Sequence, residues 1–356
     1  MAGFVSAWVG EYYSRGVSPC VALVAIDASD GSDWQAAIRA ACSALPAGES
    51  GDGRGTRYYV ALRGGVFDGE ACERITRAAV RSLSRVFDAA CDAGRAMADI
   101  VPLLPTAGWA SDLSDVAPGS ERLDPALLSD LELLVSVGAP DAPWTAAAAA
   151  RRSARGLRQL PVVGVTIAGE DAAEADDDND REIEGDDTPK GPLEFAAGAV
   201  GGTFDRLHAG HRLLLATTAL VVARKIYVGI AGDELLKGKH FAELLQPFDA
   251  RARGVREYLE RVAPRLDLEF SQLLDPKAPP KAATLADITT LVVSHETVVG
   301  ARKVEAMRAA NGIAEPLQLV VVHLVGCEDR ARRTDAAAPK LGSTSLRRKE
   351  ADLRRE

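Results

Sequence analysis

The stretch "EDAAEADDDNDREIEGDD" (residues 170–187) constrains what this chain can fold into more than any other. It carries eleven acids and one arginine, a net charge of −10. Like charges this dense, with almost no apolar side chain among them, cannot be gathered into a core. The expectation is a disordered acidic linker over 169–190 that acts as a solvated spacer; an acidic docking surface is the other reading. The whole chain sums to −9, so everything outside that stretch sums to +1. The acidity therefore belongs to the linker and says little about what the rest binds. Two parts remain, 1–168 and 191–356, each long enough to bury its own core. No repeat between them is visible in the sequence.

The first part reads as a smaller α/β domain. "CVALVAID" (20–27), "RYYVALR" (57–63), "LELLVSV" (131–137) and "LPVVGVTIA" (160–168) have the length and apolar content of buried strands. Helical spacing runs through 32–45, 70–98 and 144–158. Alternation of this kind favours layers of helix on sheet. The glycine-rich "GESGDGRGTR" (48–57) reads as a flexible loop; a phosphate cradle is the alternative, weakened because no helix start follows it. Nothing in 1–168 forms a catalytic constellation, so the expected role is binding or scaffolding.

Some function classes drop out on composition. Five scattered cysteines (Cys20, Cys42, Cys72, Cys91 and Cys327) with no CxxC indicate buried thiols in a reducing compartment, not disulfides or zinc. No run of 18 uncharged apolar residues exists to span a membrane. The start, "MAGFVSAWVGEYYSRG", lacks a basic segment and meets Glu11 early, which argues against a cleaved signal. The expectation is a cytoplasmic protein, with a weak organellar signal left open. The basic run "RRKEADLRR" (347–355) is interleaved with acids and has no aromatic partners, so it reads as a solvated helix, not a nucleic-acid surface.

The second part has a firmer pattern. Strands are expected over 195–201, 225–233, 266–274, 288–294 and 316–325. Helices are expected over 211–224, 242–263 with a break near Pro247, and 300–312. Strand–helix–strand repetition at this spacing gives a Rossmann-like, doubly wound parallel sheet. Ligands of such sheets sit at the carboxyl ends of the strands. One of those ends carries "AVGGTFDRLHAGH" (199–211), which holds two of the chain's five histidines. Gly201 and Gly202 let the backbone approach a ligand without a Cβ in the way. A helix starting near Gly210 offers free N–H groups and partial positive charge to an anion. Thr203 adds a hydroxyl, and His208 and His211 can donate from one side of the turn. Together they suit a phosphate whose charge grows in a transition state. A metal is the weaker reading. No third His or Cys lies nearby, and the HxxH lacks the Glu of a zinc-protease helix.

The turn resembles the HxGH signature of nucleotidyltransferases, which leaves the substrate open between several relatives. "GDELLKGKHFAELLQPFDAR" (232–251), "LLDP" (273–276), "LVVSHETVVGARKVEAMRAANG" (291–312) and "GSTSLRR" (342–348) narrow it. In order and spacing they resemble phosphopantetheine adenylyltransferase of the eukaryotic and archaeal type, over about residues 195–350. The resemblance implies transfer of the AMP moiety of ATP to 4′-phosphopantetheine, giving dephospho-coenzyme A and pyrophosphate, with magnesium accompanying ATP. It implies that Thr203 orients the attacking phosphate, that His211 stabilises the α-phosphate in the transition state, and that His208 lies near the nucleotide. Lys237 and Lys239 match a Lys-x-Lys pair for phosphates. Arg251 matches a recurrent Arg, a phosphate ligand or only a helix salt bridge. Ser343, Thr344 and Ser345, with Arg347 nearby, match the motif that holds the β- and γ-phosphates; a plain helix cap is the bland alternative.

Three residues depart from the pattern: His295 where the family has Glu, Glu305 for a frequent Asn, and Gly342 for a Ser. The family's animal members continue into a dephospho-coenzyme A kinase, which needs GxxxxGK[ST]. This chain has no such motif, so the expectation is a monofunctional enzyme whose kinase is a separate chain. The rival readings are a catalytically inactive nucleotide-binding regulator, and a transferase using CTP or acting on nicotinamide mononucleotide.

Overall fold

A computed structural model describes residues 21–27, 39, 42, 56–63, 77–104, 109–110, 113, 122–137, 142–165, 193–326 and 341–355. The acidic linker, the first twenty residues, the glycine-rich 48–55 and nearly all of the helix expected over 32–45 lie outside them. The chain divides into two compact units, one around each of two five-stranded sheets.

The first sheet comprises β1 (Val21–Asp27), β2 (Arg57–Arg63), β3 (Asp99–Pro102), β4 (Leu133–Val137) and β5 (Val162–Val165). Its order is β3-β2-β1-β4-β5, and every pairing is parallel. Helices α1 (Arg77–Asp92) and α2 (Pro143–Ala154) both end earlier than their helical spacing suggested, and residues 70–76 of the first expectation lie outside the described residues. Gly94 and Gly156 explain the shortening: both follow the helix ends in the left-handed region, at φ 71° and 65°, where a glycine stops a helix at little steric cost. The strand β3 was not expected, because "DIVP" is four residues ending in proline. It pairs only with β2, at the edge of the sheet, where proline is tolerated.

The second sheet comprises β6 (Phe195–Gly202), β7 (Val222–Ala231), β8 (Asp267–Leu273), β9 (Thr290–Ser294) and β10 (Gln318–Val322), in the order β10-β9-β6-β7-β8 and again all parallel. The helices are α3 (Ala209–Val221), α4 (Phe248–Val262), the single turn α5 (Lys281–Thr284), α6 (Val298–Ala310) and α7 (Ser343–Leu353). The break at Pro247 is real, since α4 begins just after it. The boundary between α3 and β7 falls three residues earlier than expected. "ALVVAR" is apolar enough for either state, and the Val222 amide closes the last helical turn onto Thr218 before the chain extends.

Strand β6 is central and flanked on both sides, so its small residues matter. A Cβ on Gly198 would come 2.6 Å from a Val222 methyl and 2.7 Å from a Thr290 methyl. Helix α3 packs across β6, β7, β9 and β10 and is buried along nearly its whole length. That explains why its sequence is apolar all round instead of striped.

The two sheets repeat one another, which the sequence did not show. Read from the other end, the second order is third-second-first-fourth-fifth in chain sequence, the same as the first. In each, a central valine pairs with two more: Val24 with Val60 and Val135, Val200 with Val228 and Val292. The topological switch point, where crossovers leave in opposite directions, lies between β1 and β4 in one sheet and between β6 and β9 in the other.

Candidate active site

The site of the second unit is built on the turn from β6 to α3. Two non-glycine residues there, Phe204 and Arg206, have φ of 53° and 49°. Each such conformation costs on the order of 1 kcal/mol or more and persists only where neighbours over-determine it. The neighbours are clear. Phe204 is buried, and its ring covers Gly202, where an added Cβ would meet ring carbons at 3.2–3.4 Å. The same ring lies 5.4 Å from that of His211. The Arg206 amide donates to Gln246 Oε1 at 2.7 Å. Gly202 is thus needed to seat Phe204, while Gly201 at the strand end is exposed, its nearest would-be Cβ contact being the Gly229 carbonyl at 3.6 Å.

His208 is the N-cap of α3. Its Nδ1 accepts the Gly210 amide at 3.2 Å. An accepting Nδ1 carries no proton, so the neutral ring holds its hydrogen on Nε2 and can donate from there. Gly210 suits this contact, because a Cβ there would lie 3.2 Å from His208 Cε1 and press the ring aside. His211 stacks on His208 with centroids 4.0 Å apart and planes 29° from parallel. Its Nδ1 is buried and has no hydrogen-bond partner among the described residues. Burial, reinforced by the neighbouring Arg212, pulls the His211 pKa down to about 4. Burial first, then His211 and Arg212, hold His208 well below the ordinary histidine range. Both rings are therefore neutral near pH 7. Arg212 is fixed by donating to the Leu207 carbonyl at 2.5 Å.

The other expected residues divide into two groups. The first turn of α7 comes to the β6–α3 turn: Ser343 Oγ donates to the Asp205 carbonyl at 2.8 Å. Ser345 Oγ turns back to the Gly342 carbonyl at 2.7 Å, and Thr344 Oγ1 accepts from Arg347 at 3.2 Å. The Ser343 and Ser345 hydroxyls are thus occupied locally, and the anion-binding capacity of this helix start rests on its unpaired amides. Lys237 and Lys239 lie exposed in the turn after β7, with Lys237 paired to Glu234 at 2.5 Å. The Thr203 carbonyl accepts from Arg251 at 2.8 Å.

Arg251 and Arg347 differ from expectation. Neither presents a free guanidinium. Arg251 is 1% exposed and donates to the Gln246, Thr203 and Ala231 carbonyls and to Asp233 at 2.6–2.9 Å. Arg347 is 2% exposed and donates to Asp205, the His240 carbonyl and Thr344 at 2.6–3.2 Å. A buried guanidinium must find acceptors within the protein, and these two have found them. Both guanidinium groups cross-link loops, and Arg251 includes the ion pair to Asp233 that was its other expected role. Sequence reading missed Asp205, fully buried at the centre of these contacts. The signal available was only its position inside the motif. Of the departures, His295 follows β9 with its ring 6.1 Å from that of His323, and Glu305 pairs with Arg302 at 2.7 Å.

Residues 199–348 match the family described as cytidylyltransferase-like. A phosphopantetheine adenylyltransferase of Thermococcus gammatolerans is 34% identical over 148 residues, which are 42% of this chain and 85% of that protein. The chain belongs to the phosphopantetheine adenylyltransferase family. A second member, from Saccharomyces cerevisiae, is 38% identical over 167 residues, 47% of this chain and 52% of its own. An uncharacterized protein of Schizosaccharomyces pombe is 36% identical over 44% of this chain and 48% of that one. The chain thus spans about half the length of the two yeast relatives. The family's share of this chain is the second sheet and its helices, in keeping with a Rossmann-like nucleotidyltransferase fold. No described helix is long and apolar enough to cross a membrane.

Proposed function

We propose that the second unit transfers the adenylyl group of ATP to 4′-phosphopantetheine, in coenzyme A biosynthesis. The carrying observation is the stacked, neutral His208–His211 pair at the start of α3, beside the switch point, with the start of α7 tied to the same turn through Ser343 and Asp205. A phosphate oxygen of phosphopantetheine attacks the α-phosphorus of ATP in line. A P–O bond forms, the bond from the α-phosphorus to the β-bridging oxygen breaks, and pyrophosphate leaves with that electron pair. In this reading Thr203 orients the attacking phosphate, and His211 donates to the α-phosphoryl oxygens as their charge grows. His208 and the amides at Gly201 and Gly202 line the nucleotide side. Lys237 and Lys239 balance the phosphate charge, and the amides of Ser343, Thr344 and Ser345 hold the β- and γ-phosphates. Arg251 and Arg347 hold this frame and do not touch the substrate.

Magnesium fits as a companion of the nucleotide. Among the described residues no group of three or more His, Cys, Asp or Glu side chains is arranged to hold an ion. Such an ion would take its ligands from phosphate oxygens and water, and would supply neutralisation of the leaving pyrophosphate. The 356 residues contain no GxxxxGK[ST], so the product is expected to stay unphosphorylated, for a separate dephospho-coenzyme A kinase. Domain limits follow the same reading: 1–168, an acidic linker over 169–190, and the transferase over 191–356, with cytoplasmic location.

The test is to incubate the chain with ATP, magnesium and 4′-phosphopantetheine. Product is read by mass and pyrophosphate release in parallel. CTP with phosphoethanolamine, and ATP with nicotinamide mononucleotide, run alongside. Dephospho-coenzyme A in the first tube alone is the expected result. Product only in another tube, or none with ATP still bound, rejects the assignment.

A further inference from the structure

We propose that Asp205 is a positioning residue of the transfer site, and that through it Arg347 sets where the first turn of α7 lies relative to the His208–His211 turn. The inference rests on the function proposed above. Asp205 is fully buried. Its Oδ1 accepts the Gln246 amide and Arg206 Nη1, both at 3.0 Å. Its Oδ2 accepts Arg347 Nη1 at 2.6 Å and Arg206 Nη1 at 3.1 Å, and its carbonyl accepts Ser343 Oγ at 2.8 Å.

The other ends of these contacts reach every phosphate-facing segment. Arg347 Nε donates to the carbonyl of His240, in the loop that carries Lys237 and Lys239. Arg206 reaches Glu350 through Nε at 3.1 Å and Nη2 at 2.5 Å. Ser343, Arg347 and Glu350 follow the i, i+4, i+7 spacing of one helix face. So α7 is held by a polar stripe. Its buried residues are Arg347 and Ala351, with Leu346 half-buried, so apolar packing is small beside the polar stripe. Asp205 itself stands two residues after Thr203 and three before His208, which links the stripe to the reacting end of the site.

A buried carboxylate that loses one of its two arginines keeps only part of its compensation, here from Arg206, so the contacts of such a hub weaken together. That gives a signature unlike simple loss of stability. Asp205→Asn, Arg347→Met and the double variant are compared in the full chain. The readouts are KM for ATP, KM for phosphopantetheine, thermal midpoint and direct calorimetric ATP binding. Each single variant should raise KM and Kd for ATP about 10- to 100-fold, the scale of a charge-assisted hydrogen bond. KM for phosphopantetheine should move less than about twofold, and the double variant should be no worse than either single one.

Additive losses, or equal changes in both KM values, would overturn the proposal. If Asp205→Asn fails to fold, Glu350→Gln carries the same test: a rise of about threefold in ATP KM is expected, from weakening the Arg206 arm, and no change rejects it. Wild-type chain that binds ATP, shows the coupled loss and yet makes no dephospho-coenzyme A keeps the positioning role and rejects the acceptor. Wild-type turnover with additive losses does the reverse. No ATP binding at all rejects both.

Discussion

The two sheets share a strand order and one buried anchor, and they differ at the switch point. In the first unit Arg152, on the helix between the fourth and fifth strands, donates from Nε to the Arg158 carbonyl and from Nη1 to those of Ala126 and Leu128. In the second, Arg308 occupies the corresponding helix. It donates from Nε to the Glu315 carbonyl and from Nη1 to those of Ala282 and Leu285. Each arginine is followed four residues later by a left-handed glycine, Gly156 or Gly312. Counting from the paired central valines, Ala25, Ile26 and Asp27 stand where the second unit has Gly201, Gly202 and Thr203. The same scaffold thus carries a phosphate-suited turn in one unit and lacks those residues in the other. Fold and chemistry are separable, and the proposed function assigns the chemistry to a few residues at one strand end.

The sharpest way to break this comparison is His211→Ala. Loss of a donor aimed at developing charge should cut kcat by about 10²- to 10³-fold, with the fold intact by circular dichroism. Wild-type turnover in that variant would remove the second unit's claim to the chemistry. Next come the shared anchors. Arg152→Met and Arg308→Met each take the guanidinium donor from three or more carbonyls, one of each set fully buried, and each should cost on the order of 2–4 kcal/mol. Denaturant titration reads this, and a large loss in one with none in the other would show that the anchors are not equivalent.

Much of this was legible in the sequence. A parallel doubly wound sheet in the second part, and α/β layers in the first, followed from strand–helix alternation, and the turn at 199–211 announced itself by glycines and histidines. The repeat did not. "ALLSDLELLV" (126–135) and "ATLADITTLV" (283–292) agree at five of ten positions, a match too short to stand out until the strand orders align it, and crossovers do not tell strand order. Asp205 was invisible for a different reason. An aspartate in a turn usually reads as solvated, and the groups that bury it come from positions 246, 343 and 347. Arg251 and Arg347 were recognised as functional cations, but charge type is written in sequence and burial is not.

Smaller effects sharpen the contrast further. Gly210→Ala pushes a Cβ against His208 and should lower kcat about tenfold while costing roughly 1 kcal/mol or less of stability. Gly156→Ala strains a left-handed residue, should cost about 1 kcal/mol, and should leave turnover per folded molecule unchanged. Equal kinetic effects of the two would contradict the division of labour. The smallest effect is on pH. The folded His211 pKa is depressed to about 4, so the unfolded chain binds its proton first. The stability this histidine contributes is complete above about pH 6.5 and is lost as pH falls towards 4. Over pH 5.5–8 kcat should show no limb from histidine titration, and a limb near 6.5 would mean that the pair is solvated in the working enzyme.

The central claim is that only one of two alike sheets carries the nucleotide chemistry. It is tested most directly by counting sites, through calorimetric titration of the full chain with a non-hydrolysable ATP analogue and magnesium. About one equivalent per chain is predicted, with affinity that weakens on Arg347→Met in the second unit and not on Arg152→Met in the first. Two equivalents, or one that survives Arg347→Met and is lost with Arg152→Met, would contradict the account.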